Sequence, residues 1–250
     1  MDLEMIEIIF TFGKFLAFTP YSCNDRQPNC LQRCHCFVVF ATYTVAVAIF
    51  QCNTILKMLL TRYQHYSKML FEISCASNQI KPQELSRVLK EIKRGLFILK
   101  SCADVFETIF GWTILGTIFC GAFKCFYYID FSVKQRYEFK TLLKIEAHML
   151  KFLSDLGIIA VLWTGLVITI FLCDRILREH DKLLDLAWRL KTSPSALRPQ
   201  KKKELETFTD FVECNRPEFT AARFFPIDRS TLFKILDASI TFILVMLQFD

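Results

Sequence analysis

Two long stretches of the chain carry no charged side chain. Residues 37–56 run for 20 positions without Asp, Glu, Lys or Arg, and residues 156–173 run for 18. A helix needs about 20 mainly apolar residues to cross about 30 Å of hydrocarbon, and strands of this length are unusual. Neither stretch contains proline, which would interrupt a helix. The two stretches therefore predict membrane-spanning helices.

Two shorter apolar stretches, residues 108–123 and 238–249, extend this pattern. The first is followed by Lys124, whose aliphatic stem lets the charged end reach the membrane surface. The second is preceded by Lys234 and Asp237. The sequence thus predicts an all-α fold: a multi-span helical membrane protein with four transmembrane helices and long cytoplasmic helical extensions.

The basic residues between the spans predict the orientation. Of 28 such residues, 20 lie in 61–102 and 175–230, and loops rich in Lys and Arg stay on the cytoplasmic side. The N-terminus and the end of the last helix are then extracellular. Because the net charge of +6 is distributed over these loops, it indicates membrane lipid rather than nucleic acid as a partner. The predicted segments are an N-terminal segment 1–36, a transmembrane helix 37–60, a cytoplasmic helical segment 61–102, a transmembrane helix 103–128, an extracellular loop 129–152, a transmembrane helix 153–173, a cytoplasmic loop with anchor helices 174–230, and a last transmembrane helix 231–250.

Apolar residues recur at helical spacing in both predicted cytoplasmic segments. The first stripe continues towards Ala103 without a strong helix breaker, so we expect one long helix that enters the membrane; the alternative is a bend near Ser101. The second segment predicts two further helices. The expected buried residues are Leu85, Val88, Leu89, Ile92, Leu96 and Leu99 in the first segment, then Ile176, Leu177, Leu184, Ala187 and Trp188, and finally Leu205, Phe208, Phe211 and Val212.

Polar residues in the last helix share one face. Thr231, Lys234, Asp237, Thr241 and Gln248 are separated by 3, 3, 4 and 7 positions, which places them on one side of a helix. Polar groups inside a membrane usually face water or the interior of a helix bundle. Spacing alone leaves two interpretations open: a helix that lines an aqueous path, or a packing seam held by Lys234–Asp237 pairing.

The sequence offers no chemistry that would indicate an enzyme. Cys23, Cys30, Cys34 and Cys36 do not have the spacing of a closed zinc site. No two histidines are placed as a metal-binding pair, and hydrolase, zinc-protease and P-loop motifs are missing. We therefore expect a non-enzymatic protein with no catalytic residues, no metal ligands and no cofactor.

The C-terminal sequence resembles that of a known family. Thr241 to Phe249 read Thr-Phe-Ile-Leu-Val-Met-Leu-Gln-Phe. This is similar to the terminal signature of insect gustatory receptors, which is Thr-Tyr, five apolar residues and Gln-Phe. Phe242 stands where the signature has Tyr, so a hydroxyl is lost. Residues 219–221 and 224–229 also resemble the family's approach to its last span, and the resemblance extends over roughly 81–250.

The resemblance implies a seven-helix chemoreceptor that works as a ligand-gated cation channel of the plasma membrane and detects small-molecule tastants. Its last helices would surround the pore of a homo- or hetero-tetramer. This implies a pore-lining role for Thr241 and Gln248, with Phe242 and Phe249 as the aromatic residues of the motif. Ligand-binding residues are not identified. The alternative function is a small non-conducting membrane adaptor that assembles with full-length receptor subunits.

The length of the chain differs from that of a seven-helix member, for which 250 residues are too few. The first span follows a family-like start, so three spans would be missing. That interpretation predicts a short, truncated gene product. The alternative is that 37–60 behaves as the family's fourth span, with an external N-terminus.

Overall fold

A computed structural model describes residues 28–76, 82–135, 142–192 and 199–249. Side chains are described over 43–75, 83–122, 157–192 and 202–248, except at positions 158, 239, 242, 243, 246 and 247. The elements in chain order are α1 (Pro28–Ala76), α2 (Pro82–Gln135), α3 (Leu142–Thr192), α4 (Pro199–Cys214), β1 (Thr220–Ala221), β2 (Phe225–Pro226) and α5 (Arg229–Phe249). The predicted all-α class is confirmed, since the two strands contain two residues each.

The first three helices are long because no breaker interrupts them. α2 starts at Pro82, where the missing N–H is tolerated, and Glu84 lies in its first turn, where a negative charge is favourable. It then runs for 54 residues. The predicted continuous helix is therefore observed, and α2 does not divide into two helices near Ser101.

Three helices of the described chain are long and apolar enough to cross a membrane. They are the described helices Tyr43–Cys75, Gln83–Ala122 and Ile159–Thr192, each of which contains an apolar stretch of 18 residues with at most two charged side chains. They contain, wholly or in large part, the spans predicted at 37–60, 103–128 and 153–173. The predicted span 231–250 coincides with α5 through Phe249, but part of α5 lies outside the described side chains.

The chain divides into two compact units. We call residues 1–51, 112–168 and 232–250 the span unit, and residues 52–111 and 169–231 the anchor unit. In the span unit, α1 and α3 approach closely at Gly165, where an added Cβ would lie 2.7 Å from Ile49 Cγ2. The described core of this unit consists of Ile49, Ile114, Leu115, Ile118, Ile159, Leu162 and Leu166.

The anchor unit has a continuous core built from one stripe on each of four helices. The predicted stripe on α2 is buried except for the half-buried Val88, and Leu205, Phe208 and Val212 of α4 are buried as expected. On α3 the prediction was partly wrong. The buried stripe is Ile176, His180, Leu183, Ala187 and Leu190, whereas Trp188 is exposed.

A short hairpin joins α4 to α5. Thr220 pairs with Pro226 and Ala221 with Phe225, and Ile227 N–H donates to the Phe219 carbonyl at 2.8 Å. The turn places two non-glycine residues in the left-handed region, Ala222 at φ 51° and Arg223 at φ 64°. Such conformations cost about 1–3 kcal/mol each and persist only where the surroundings enforce them.

Candidate functional site

The candidate site is α5 and the contacts that hold its first turn. The Thr231 N–H donates to Asp228 Oδ1 at 2.8 Å, which caps the N-terminus of the helix. The Thr231 hydroxyl donates to the Pro226 carbonyl at 2.6 Å and lies 2.9 Å from Asp228 Oδ1. Thr231 is buried. These contacts hold the first turn of α5 against the hairpin.

An ion pair ties the start of α5 to α3. Arg229 Nε lies 2.8 Å from Asp174 Oδ2, and the Arg229 guanidinium carbon lies 5.1 Å from the centre of the Phe171 ring. Arg178 also pairs with Asp174. Asp174 is the first charged residue after the apolar stretch of α3. The base of α5 is therefore attached where the apolar part of α3 ends.

The hairpin before α5 is held against α2. The Thr220 hydroxyl donates to Glu107 Oε1, and the rings of Phe106 and Phe219 meet edge to face with centres 6.0 Å apart. At Gly111 an added Cβ would lie 2.8 Å from the Ala222 backbone nitrogen. A residue with a side chain would push this backbone away, so glycine permits the close approach.

Beyond its first turn, α5 exposes polar and apolar side chains alike. Lys234, Asp237, Thr241 and Gln248 are all exposed, whereas Thr231 on the same predicted face is buried. Within the described residues, no ion pair joins Lys234 to Asp237. Phe242 and Phe249 lie outside the described side chains. The exposed apolar residues of α5 are Phe233, Leu236, Ile240, Leu244 and Val245.

The sequence did not single out Asp174 or the fully buried His180 and Tyr63 as functional residues. Arg229 entered only as part of the family resemblance. A signal for Asp174 was present, because a charge directly after an apolar span is a natural partner for a nearby arginine. Pairing between residues so distant in the chain cannot be read from spacing.

The described residues contain no group of three or more His, Cys, Asp or Glu side chains that could hold a metal ion. The cysteines Cys23, Cys30, Cys34 and Cys36 lie outside them. Within the described side chains, no disulfide bond is formed by Cys52, Cys75, Cys102, Cys120, Cys173 or Cys214.

Comparison with known proteins gives a match over nearly the whole chain. A family model described as 7tm chemosensory receptor matches residues 8–250. A search of curated proteins finds no match. The matched region includes the four predicted spans, the hairpin and α5, and it agrees with the resemblance to gustatory receptors.

Proposed function

Because the chain belongs to the 7tm chemosensory receptor family, we propose that it is a gustatory-type receptor subunit. In this proposal it forms, in the plasma membrane, part of a cation channel that small-molecule tastants open. The partners are a tastant, membrane lipid, and other receptor subunits in a homo- or hetero-tetramer. The protein binds its ligand without chemical conversion, in keeping with a family of receptors rather than enzymes.

The exposure of α5 is the observation that supports this function most directly. Apolar side chains such as Phe233 and Ile240 can face lipid at no cost, but Asp237, Thr241 and Gln248 cannot. These polar groups need water or a second chain. Both are supplied if α5 helices from several subunits surround an aqueous path.

In that arrangement Thr241 and Gln248 line the pore. They are seven residues apart, which is two helical turns, so they project to the same side. Four copies of an amide near the outer end of the helix would form a polar ring, and such rings influence which ions pass. Lys234 and Asp237 occupy the same face closer to the start of the helix.

The substitution Gln248→Ala tests this role. The full chain is expressed alone and together with a second receptor subunit, and cation current is recorded on tastant addition. We expect altered ion selectivity or unit conductance with normal assembly. Gln64→Ala is the matched control, because Gln64 is an exposed glutamine of the anchor unit, and it leaves both properties unchanged.

The other outcomes are also informative. Reduced assembly with unchanged remaining channels would mean that Gln248 stabilises helix packing instead. Normal assembly, selectivity and conductance would contradict both roles. Co-purification with a receptor subunit but no current under any condition would support the non-conducting adaptor.

We propose that residues 61–102 and 175–230 face the cytoplasm. These two segments hold 20 of the 28 basic residues between the predicted spans, and loops rich in Lys and Arg stay on the cytoplasmic side.

Labelling of single cysteines tests the orientation. In a background without native cysteines, Ser195→Cys should resist a membrane-impermeant thiol reagent in intact cells, and Ser132→Cys should react. Efficient labelling at position 195 in intact cells would reverse the topology.

A further inference from the structure

A buried histidine and a buried tyrosine meet in the core of the anchor unit. The side chains of His180 on α3 and Tyr63 on α1 are both 0 % exposed, and their ring centres lie 6.1 Å apart, edge to face. Neither residue lies in the predicted spans, which end at 60 and 173. His180 therefore belongs to the cytoplasmic extension of α3 in the proposed orientation.

The polar atoms of these two rings lack hydrogen-bond partners. Within the described residues, no hydrogen bond of normal geometry is made by His180 Nδ1, His180 Nε2 or the Tyr63 hydroxyl. More than about 90% of buried polar groups in proteins have a partner, so three such atoms in one contact need an explanation. An apolar side chain would fill the same space without this penalty.

The charged groups near His180 come from each surrounding element. On α3 itself, Asp181 favours the protonated ring, and Arg216 after α4 disfavours it; these two form an exposed ion pair, with Arg216 Nη2 3.1 Å from Asp181 Oδ1. The Val212 backbone of α4 favours the protonated form.

On the other side of the contact, burial raises the pKa of the Tyr63 hydroxyl, as do Asp104 and Cys102 of α2. At His180, burial outweighs the effects of Asp181 and the Val212 backbone and lowers the pKa of the imidazole. The ring is therefore neutral at neutral pH.

We propose that His180 is the proton-binding site of an acid sensor in the anchor unit. Protonation places a positive charge in an apolar core, and a hydrogen bond to the Val212 backbone offsets only part of the cost of burying that charge. Protonation therefore favours a loosened arrangement of α1, α3 and α4 that admits water to the ring. In the proposed topology the sensed proton comes from the cytosol.

The direction of the pH effect follows from proton binding. When the folded unit holds a histidine whose pKa is lower than in the unfolded chain, the unfolded chain binds more protons at mildly acidic pH. Above the unfolded pKa of about 6.5 the imidazole is neutral in both states, so His180 does not reduce the free energy of unfolding. As the pH falls from there towards the lower folded pKa, the free energy of unfolding decreases. Cytosolic acidification is thus destabilising, and in a working channel it would reduce the tastant current.

The first test needs no channel activity, so it stays informative if the proposed channel function fails. The unfolding midpoint Tm of the purified full chain is measured between about pH 7.5 and pH 5.5. We expect Tm to fall as the pH drops below the unfolded histidine pKa of about 6.5.

The substitution His180→Phe removes the titrating group and keeps the aromatic shape. We expect a Tm equal to or above that of wild type at about pH 7.5, and the loss of most of the acid-induced fall. His65→Phe is the matched control, because His65 is an exposed histidine two residues from Tyr63 on α1; it should retain the fall. Tyr63→Phe should also retain it, because His180 still titrates.

Three results would overturn the proposal. One is a wild-type Tm that does not change over this pH range. Another is an unchanged acid-induced fall in His180→Phe, which would assign the effect to other groups. The third is a clear loss of stability or folding in His180→Phe at about pH 7.5, because it would show that the imidazole nitrogens make hydrogen bonds that the fold needs.

Discussion

The anchor unit and the part of α5 beyond residue 232 satisfy their side chains in different ways. In the anchor unit, stripes from four helices bury one another, and polar groups at the surface pair within the chain, as Arg229 does with Asp174. The later part of α5 exposes apolar and polar residues together, from Phe233 to Gln248. The anchor unit thus buries its apolar stripes within a single chain, whereas in the proposed function α5 meets lipid, water and other subunits.

The boundary between the buried and the exposed part of the chain falls within the first turn of α5. Thr231 is buried and hydrogen-bonded, and Lys234, one turn later, is exposed. Substitutions before this boundary should alter the stability of the single chain. Substitutions after it should alter assembly or conduction instead. The following predictions test that division.

The largest loss of stability is expected for Gly111→Ala. The new Cβ would lie 2.8 Å from the Ala222 nitrogen, a backbone atom that cannot rotate away. Overpacking of this kind costs about 1–3 kcal/mol, so Tm should fall by several degrees. Gly116→Ala on the same helix is the matched control, because nothing lies within 4 Å of its added Cβ. An unchanged Tm in Gly111→Ala would show that the hairpin does not pack closely on α2.

The next largest effect is expected for Thr231→Val, which keeps the shape and removes the hydroxyl. The buried hydroxyl would no longer donate to the Pro226 carbonyl, and a hydrogen bond within a protein typically contributes about 0.5–1.5 kcal/mol. Tm of the purified chain should fall by several degrees. If Thr231→Val lowers Tm no more than the same substitution at an exposed threonine, the boundary lies at the start of the helix instead.

The helices of the anchor unit could be predicted from the sequence because their signals are local. The α2 stripe repeats at steps of three and four from Leu85 to Leu99, and Pro82 marks its start. The face of α3 was harder to predict. Trp188 was assigned to the core because it shares a helical face with other apolar residues, but the buried stripe instead contains His180, a residue type of only intermediate burial.

The attachment of α5 depends on contacts that are distant in the chain and could not be predicted. Glu107 and Thr220 are 113 positions apart, as the hydrogen bond between them shows. The left-handed residues Ala222 and Arg223 carry no sequence signal either, because neither is Gly, Asn or Asp. The polar face of the later part of α5, by contrast, could be recognised from spacing, and its role as a pore surface remains a prediction.

A smaller effect is expected for the ion pair at the base of α5. Arg229 is about half exposed, so its pair with Asp174 should contribute less than about 1 kcal/mol. In a double-mutant cycle, Arg229→Gln and Asp174→Asn should be less than additive in Tm. Arg189→Gln with Asp185→Asn, an exposed pair on α3, provides the comparison. Full additivity of Arg229→Gln and Asp174→Asn would show that the contact does not hold the helix.

The smallest effect on the single chain is expected for Thr241→Val. This substitution is chemically identical to Thr231→Val and lies on the same helix, but Thr241 is exposed. Surface substitutions usually change stability by less than about 0.5 kcal/mol, so Tm of the isolated chain should be unchanged.

In an assembled channel the same substitution places an apolar group where the proposed pore holds a hydroxyl. Ion conduction should then change while Tm does not, the reverse of the result expected for Thr231→Val. A fall in Tm of the isolated chain equal to that of Thr231→Val would contradict the division, because it would show that α5 already packs within a single chain at residue 241.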